Sequence, residues 1–235
     1  MGGEQRDVLE RQAAHGRLLD RWRAALASRR LYEDGAVDPA TYWEQARRVV
    51  VVLREVNDPG DSFLKLLADG ATVGVRTKTG RRTPAGQALW NNVAGWAYGL
   101  LTDFPEFSVV PAMTPELRGA CLRQIAVVNL NKAGGGARHV PKDLAAEARL
   151  RRDLLSEQLR LLDPHVVVCG GTAALLHDVV GLGAPETVCG TRVFLAANSR
   201  RVAIDTWHPG AYLEKAAAHY ARVMDPARAI LSHRR

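Results

Sequence analysis

The sequence predicts an α/β protein: an open, mainly parallel four-stranded sheet with helices on both faces, preceded by an N-terminal helical extension. Three observations predict it. The runs VVVVL (49–53), IAVVNL (125–130), HVVVC (165–169), RVFLA (192–196) and RVAIDT (201–206) are apolar on consecutive positions, as strands buried on both faces of a parallel sheet are. Helical patterns separate most of them: FLKLLADG (63–70), ALWNNVAGWAYGLL (88–101), KDLAAEARLRRDLLSEQLRLL (142–162) and TAALLHDVVG (172–181). Strands alternating with helices imply right-handed crossovers. The third observation is the polar, glycine-rich character of the segments after the strands, where sheets of this kind bind their ligands.

The N-terminal extension, residues 1–48, precedes an α/β domain spanning 49–235. In LERQAAHGRLLDRWRAALASRRLY, residues Leu9, Leu18, Leu19, Trp22, Leu26 and Leu31 recur at helical spacing. YEDGAVDPATYWEQARR follows as a turn and a short helix, with Asp38 or Thr41 as its cap and Pro39 in the first turn.

At 235 residues and 47% apolar, the chain has enough material for the core of one such domain. Its longest aliphatic run is too short to span a bilayer and the first residues lack the apolar stretch of a signal peptide, so a cytoplasmic monomer without membrane contact is expected. Cys121, Cys169 and Cys189 are far apart and odd in number, which argues against a disulfide framework or a metal cluster. No cofactor and no metal are expected. The net charge of +7 favours a polyanionic partner.

The strand ends carry the chemistry. The first strand runs into REVNDPGDS, the second ends in Asn129 and continues as LNKAGGGARHV, the third ends in CGGTAA with Thr172 placed to cap the next helix, and the last ends in DTWHPGAY. One crevice therefore collects Asp58, Asn129, Lys132, a glycine run and His208.

The order of these pieces resembles the uracil-DNA glycosylase superfamily. VNDPG (56–60) stands where that superfamily has its first motif, VVNLNK (127–132) where a middle strand ends in Asn, and HPGAY (208–212) where an H-P-S-type motif precedes the last helix. LRLLDPHVVVCGGTAA (159–174) is similar to the family's helix, turn, strand and G-x-x-A stretch. The resemblance covers about residues 49–225 and leaves the extension outside it.

The resemblance implies a monofunctional DNA glycosylase, which flips a pyrimidine nucleotide out of DNA and hydrolyses its N-glycosidic bond to leave an abasic site. Such a reaction needs a carboxylate to position water and a donor to the departing base. Asp58 occupies the position of the acid, with Asn57 as the residue that takes the role in other branches, and Glu55 and Asp61 flanking it. His208 occupies the position of the donor, held by the Pro209-Gly210 turn. Asn129 reads the base edge; its amide suits uracil one way round and cytosine the other.

Around this centre, Phe63, Trp90 and Trp96 are placed either to stack on the base, Phe63 first among them, or to pack in the core, which is the favoured reading for each. Tyr212 or Leu213 is placed to fill the vacated stack, unless Tyr212 simply starts the helix. Lys78, Arg81 and Arg82 in RTKTGRR (76–82), Lys132, Gly135 and Arg138 in the loop after the second strand, and Gly210 are expected at DNA phosphates.

The chain departs from the family pattern at Val56, where the first motif begins with Gly, and at Gly210, where Ser is usual. Gly60 replaces the bulky Tyr that makes the most uracil-selective branch exclude 5-substituted pyrimidines. That favours a base with a large 5-substituent, such as glucosylated hydroxymethylcytosine in phage DNA, and an antiviral task. Excision of uracil or another deaminated base in repair is the alternative, and a catalytically silent DNA-binding module is a further one. A Rossmann-type oxidoreductase is disfavoured, because REVNDPGDS is not G-x-G-x-x-G. No lysine is placed for a Schiff base, so water is the expected nucleophile.

Overall fold

Val49 to Leu53 are all at most 3% exposed, so this strand is covered on both faces. A computed structural model describes residues 3–57, 62–71, 84–135, 141–196, 201–211 and 215–232. In chain order these form α1 (Gly3–Leu26), β1 (Gly35–Ala36), α2 (Pro39–Trp43), β2 (Val49–Asn57), α3 (Phe63–Ala68), α4 (Pro84–Leu101), α5 (Pro115–Arg123), β3 (Ala126–Gly135), α6 (Pro141–Leu150) and α7 (Arg152–Leu162). β4 (Val166–Gly170), α8 (Ala173–Val180), β5 (Ala184–Val188), β6 (Thr191–Leu195), β7 (Val202–Thr206) and α9 (Ala216–Leu231) complete them.

The chain is an α/β protein, but its sheet has seven strands, in the order β1-β3-β2-β4-β7-β6-β5. The expected four parallel strands are the centre, β3-β2-β4-β7. Three antiparallel strands extend it at both sides: β1 beside β3, and the β5–β6 pair beside β7. RVFLA, read as a strand, is thus β6 of that hairpin and lies antiparallel to β7.

Strand alternation sorts the core into two layers. Val49, Val51 and Leu53 face α3, α4, α5 and α9, through Phe63, Trp96, Leu122 and Val223. Val50 and Val52 face the other layer, through Trp22, Tyr42, Leu155 and Leu176. The chain leaves β2 through α3–α5 on one face and returns from β3 to β4 through α6 and α7 on the other. β2 is therefore where the direction of the connections reverses, and a crevice opens beyond its carboxyl end.

Local signals fix several boundaries. Asp38 caps α2, its carboxylate accepting from Ala40 N at 3.1 Å, with Pro39 in the first turn. The pattern over 142–162 is broken at Arg151, which leaves helical geometry (φ −117) and sends its buried guanidinium to Ala25 O at 3.2 Å. α7 ends at Asp163 in the left-handed conformation (φ +44), ahead of Pro164.

The N-terminal segment joins the sheet. Leu18 and Trp22 of α1 are buried in the α7 layer. Beyond α1 the chain runs antiparallel to β3, with Tyr32 N donating to Lys132 O at 2.8 Å and Val37 N to Ile125 O at 3.1 Å. Among the described residues, no helix is long and apolar enough to cross a membrane.

Candidate functional site

Beyond the carboxyl ends of β2, β4 and β7 lies a cleft of about 600 Å³, whose lining includes Arg54, Gly171, Thr172, Trp207, His208 and Arg222. His208 enters it from a tight turn. Ala211 N donates to His208 O at 2.8 Å, closing the turn. Asn92 of α4 donates through Nδ2 to Pro209 O at 2.8 Å. His219 of α9, fully buried, donates through Nε2 to Ala211 O at 3.1 Å, and Trp96 Nε1 holds His219 O at 2.9 Å.

The end of β4 is shaped to this turn. A Cβ on Gly170 would stand 2.9 Å from Pro209 Cδ and 2.8 Å from Leu53 Cδ2, so only glycine lets the turn lie this close. Gly171, in the left-handed region (φ +69), donates its N–H to Thr206 O at 2.8 Å. Thr172 stands at the start of α8, but its hydroxyl donates to Val52 O at 2.9 Å in place of the predicted cap, tying β4 back to β2.

The His208 ring is neutral at physiological pH. Burial, helped by the positive field of Arg54 and by His219, lowers its pKa to about 4. Gly210 N donates to His208 Nδ1 at 3.2 Å, so Nδ1 is an acceptor and the single ring proton sits on Nε2. The site thus holds an uncharged N–H donor. That same bond occupies the Gly210 amide, so the expected phosphate contact from Gly210 is corrected: its N–H serves the imidazole.

The cleft is basic around this neutral ring. Arg192 is paired with Asp205 at 2.6 Å. The Arg222 guanidinium lies over the Trp207 ring, 4.4 Å from its centroid. Arg54 and Arg222 form no ion pair among the described residues.

The end of β3 is different. Asp34 and Lys132 are fully buried and Asn129 is 1% exposed. Lys132 Nζ donates to Asp34 Oδ1 and Oδ2 at 2.6 and 2.7 Å and to Asn129 O at 3.1 Å, which uses all three of its protons. Its ammonium lies 4.8 Å from the Trp22 ring centroid. Burial pushes the Lys132 pKa down and Asp34 pulls it back up. The expectation that Lys132 meets a DNA phosphate is therefore corrected: an ammonium enclosed with its counter-ion has no proton and no surface left to offer.

Asp34 also accepts from Asn129 N at 2.6 Å, Asn129 Nδ2 at 3.3 Å and Gln158 Nε2 at 2.9 Å. Asn129 lies on the strand face that Val127 occupies one repeat earlier, beside Leu53 of β2 in register. Phe63, a candidate to stack on a base or to pack in the core, is 3% exposed and packs edge-on against Trp90 with centroids 5.8 Å apart. Of the two readings the structure favours the core, where the Phe63 ring lies among buried side chains against Trp90 of α4.

Gly135 closes β3 opposite Asn57, the last residue of β2. Asp58, Gly60, Lys78, Arg81, Arg82, Arg138 and Tyr212 lie outside the described residues, as does the Asn57 side chain. The structure brings Asp34, Arg54, Trp207 and Arg222 to these strand ends, none of which the sequence singled out. Arg54 directly follows the apolar run of β2, and that position was its only signal. Compared with known proteins, the chain matches no family model and no curated protein.

Proposed function

We propose that the protein is a monofunctional DNA glycosylase acting on a 5-modified pyrimidine, with glucosylated hydroxymethylcytosine of phage DNA as the first candidate. The observation that carries the reading is His208: a neutral imidazole with its proton on Nε2, at the mouth of a cleft rimmed by Arg54 and Arg222. Cleavage of an N-glycosidic bond sends the bonding electrons onto the base, and an uncharged N–H at the base oxygen stabilises the anion without being consumed. The water oxygen bonds to the sugar carbon, and its proton passes to a carboxylate, the role given to Asp58. Arg54 and Arg222 supply charge for the DNA backbone that the buried Lys132 does not. Asn129, 1% exposed and not among the residues lining the cleft, is given the base edge by the resemblance alone.

The reading is tested by incubating the protein with duplex and single-stranded DNA carrying uracil, and with phage DNA carrying unmodified, hydroxymethylated or glucosylated cytosine. Alkali then cuts any abasic site. Cleavage confined to modified phage DNA supports an antiviral enzyme, and cleavage at uracil makes it a repair enzyme. Asp58→Asn is expected to lose most turnover and keep DNA binding. Salt-sensitive binding with no cleavage of any substrate leaves a DNA-binding module.

A further inference from the structure

The geometry points to Asp34, in the N-terminal segment, as a positioning residue that fixes which way round the Asn129 amide stands, and hence which base edge it accepts. This rests on the glycosylase reading for the base, while the lock itself rests on geometry alone. Asp34 stands where an antiparallel neighbour of β3 would place a ladder carbonyl, between the Tyr32–Lys132 and Gly35–Val127 pairings. Its carboxylate takes the place of that carbonyl by accepting from Asn129 N at 2.6 Å. The chain can do this because Gly35 turns at φ +133, with the His15 ring 2.7 Å from where a Cβ would be.

An Asn amide alone is ambiguous between its oxygen and its nitrogen. A carboxylate removes the ambiguity, because it only accepts: the group facing Asp34 Oδ2 at 3.3 Å has to be Nδ2. Among the described residues nothing donates to Asn129 Oδ1, so that oxygen is the acceptor left for a ligand N–H. The base must then present an N–H to it. A uracil-type edge does so at N3 and a cytosine-type edge at its exocyclic N4, and the fixed amide suits one of these geometries and not the other.

Lys132 keeps the lock from relaxing, and Gln158 only adds a bond on the oxygen that does not face the Asn129 amide. Lys132 bridges both carboxylate oxygens, and Gln158 holds Oδ1 at 2.9 Å. A carboxylate held by five contacts and enclosed completely is set in one orientation. A buried ion pair of this kind is a weak source of stability compared with apolar residues of the same volume. Its value here is orientational.

The test compares wild type, the charge-neutral double variant Asp34→Asn/Lys132→Met, and Gln158→Met, which removes the Gln158 bonds to Asp34 Oδ1 and O but leaves Asp34 Oδ2 on Asn129. Each is assayed on otherwise identical DNA carrying a uracil-type or a cytosine-type base, and the ratio of the two kcat/KM values is read. In the double variant the amide is free to turn over, and that ratio is expected to fall about tenfold toward unity, the size of one bidentate base contact. In Gln158→Met the ratio is expected to hold. A double variant that loses activity equally on both bases, or a Gln158→Met whose ratio moves as far, overturns the proposal. If wild type releases neither base, the glycosylase reading falls by itself. The lock is then read from the ¹⁵N-labelled Asn129 side-chain amide, assigned with Asn129→Asp. A slowly exchanging Nδ2 proton in wild type supports it, and fast exchange of both protons refutes it. That reading also decides the matter if the double variant does not fold.

Discussion

The carboxyl ends of β3 and β7 hold their side chains by opposite means. At β3 a carboxylate and an ammonium, both fully buried, clamp Asn129 through charged hydrogen bonds. At β7 a half-buried neutral imidazole is held by backbone amides and carbonyls around one turn, with Asn92 and His219 bracing it from behind. A charged cage fixes orientation, but every member depends on the others, since removing one leaves an uncompensated charge. A turn spreads the work over many weak bonds, so its functional side chain can be removed without releasing the backbone. On the proposed reading, the first end couples chemistry to stability and the second keeps them apart.

The largest expected effect lies in the cage. Asp34→Ala leaves Lys132 buried without a counter-ion and should cost about 3–5 kcal/mol of folding stability, read by denaturant unfolding. A loss below about 1 kcal/mol would mean that water replaces the carboxylate, and the contrast would soften. Next comes His208→Ala, expected to slow base release about 10²-fold while the unfolding midpoint stays close to wild type. A large drop in stability would make the β7 end as coupled as the β3 end.

Acidification gives a third comparison. The His208 pKa is about 4 in the folded chain against 6.5 in a free histidine. Between these values the unfolded chain takes up a proton that the folded turn refuses. Stability therefore falls as pH drops from about 6.5 to about 4, and this contribution is constant below that window. His208→Ala should flatten that part of the stability–pH curve, and an unchanged slope would place the titration elsewhere. The smallest effect is expected from Asn92→Ala, which removes the donor to Pro209 O and should cost about 1 kcal/mol, with a larger change in kcat than in DNA binding.

The same contrast separates what could be read in the sequence from what could not. The four parallel strands were legible because aliphatic runs on consecutive positions occur where both faces are covered. β5 was not, since Ala184 to Val188 lie on an edge and their side chains are largely exposed, leaving no apolar pattern. β1 is two residues long and is defined by its partner. The His208 turn was legible because Pro-Gly is a local signal. The cage was not: Asp34-Gly35 reads as an ordinary turn, and Lys132 in a glycine-rich loop reads as a solvated cation. Only the pairing of segments nearly a hundred residues apart shows that each neutralises the other.

That separation has a consequence for how the molecule is made. Lys132 lies 98 residues and Gln158 124 residues after Asp34. At a synthesis rate of about 5–20 residues per second, the Asp34 carboxylate waits about 5–25 s on the ribosome for its partners. Until then it can only remain hydrated, and α1 and α2 have no β3 to dock against. A segment made well before β3 is thus secured only after it, and the orientation of Asn129 is set only when the two stretches of chain meet.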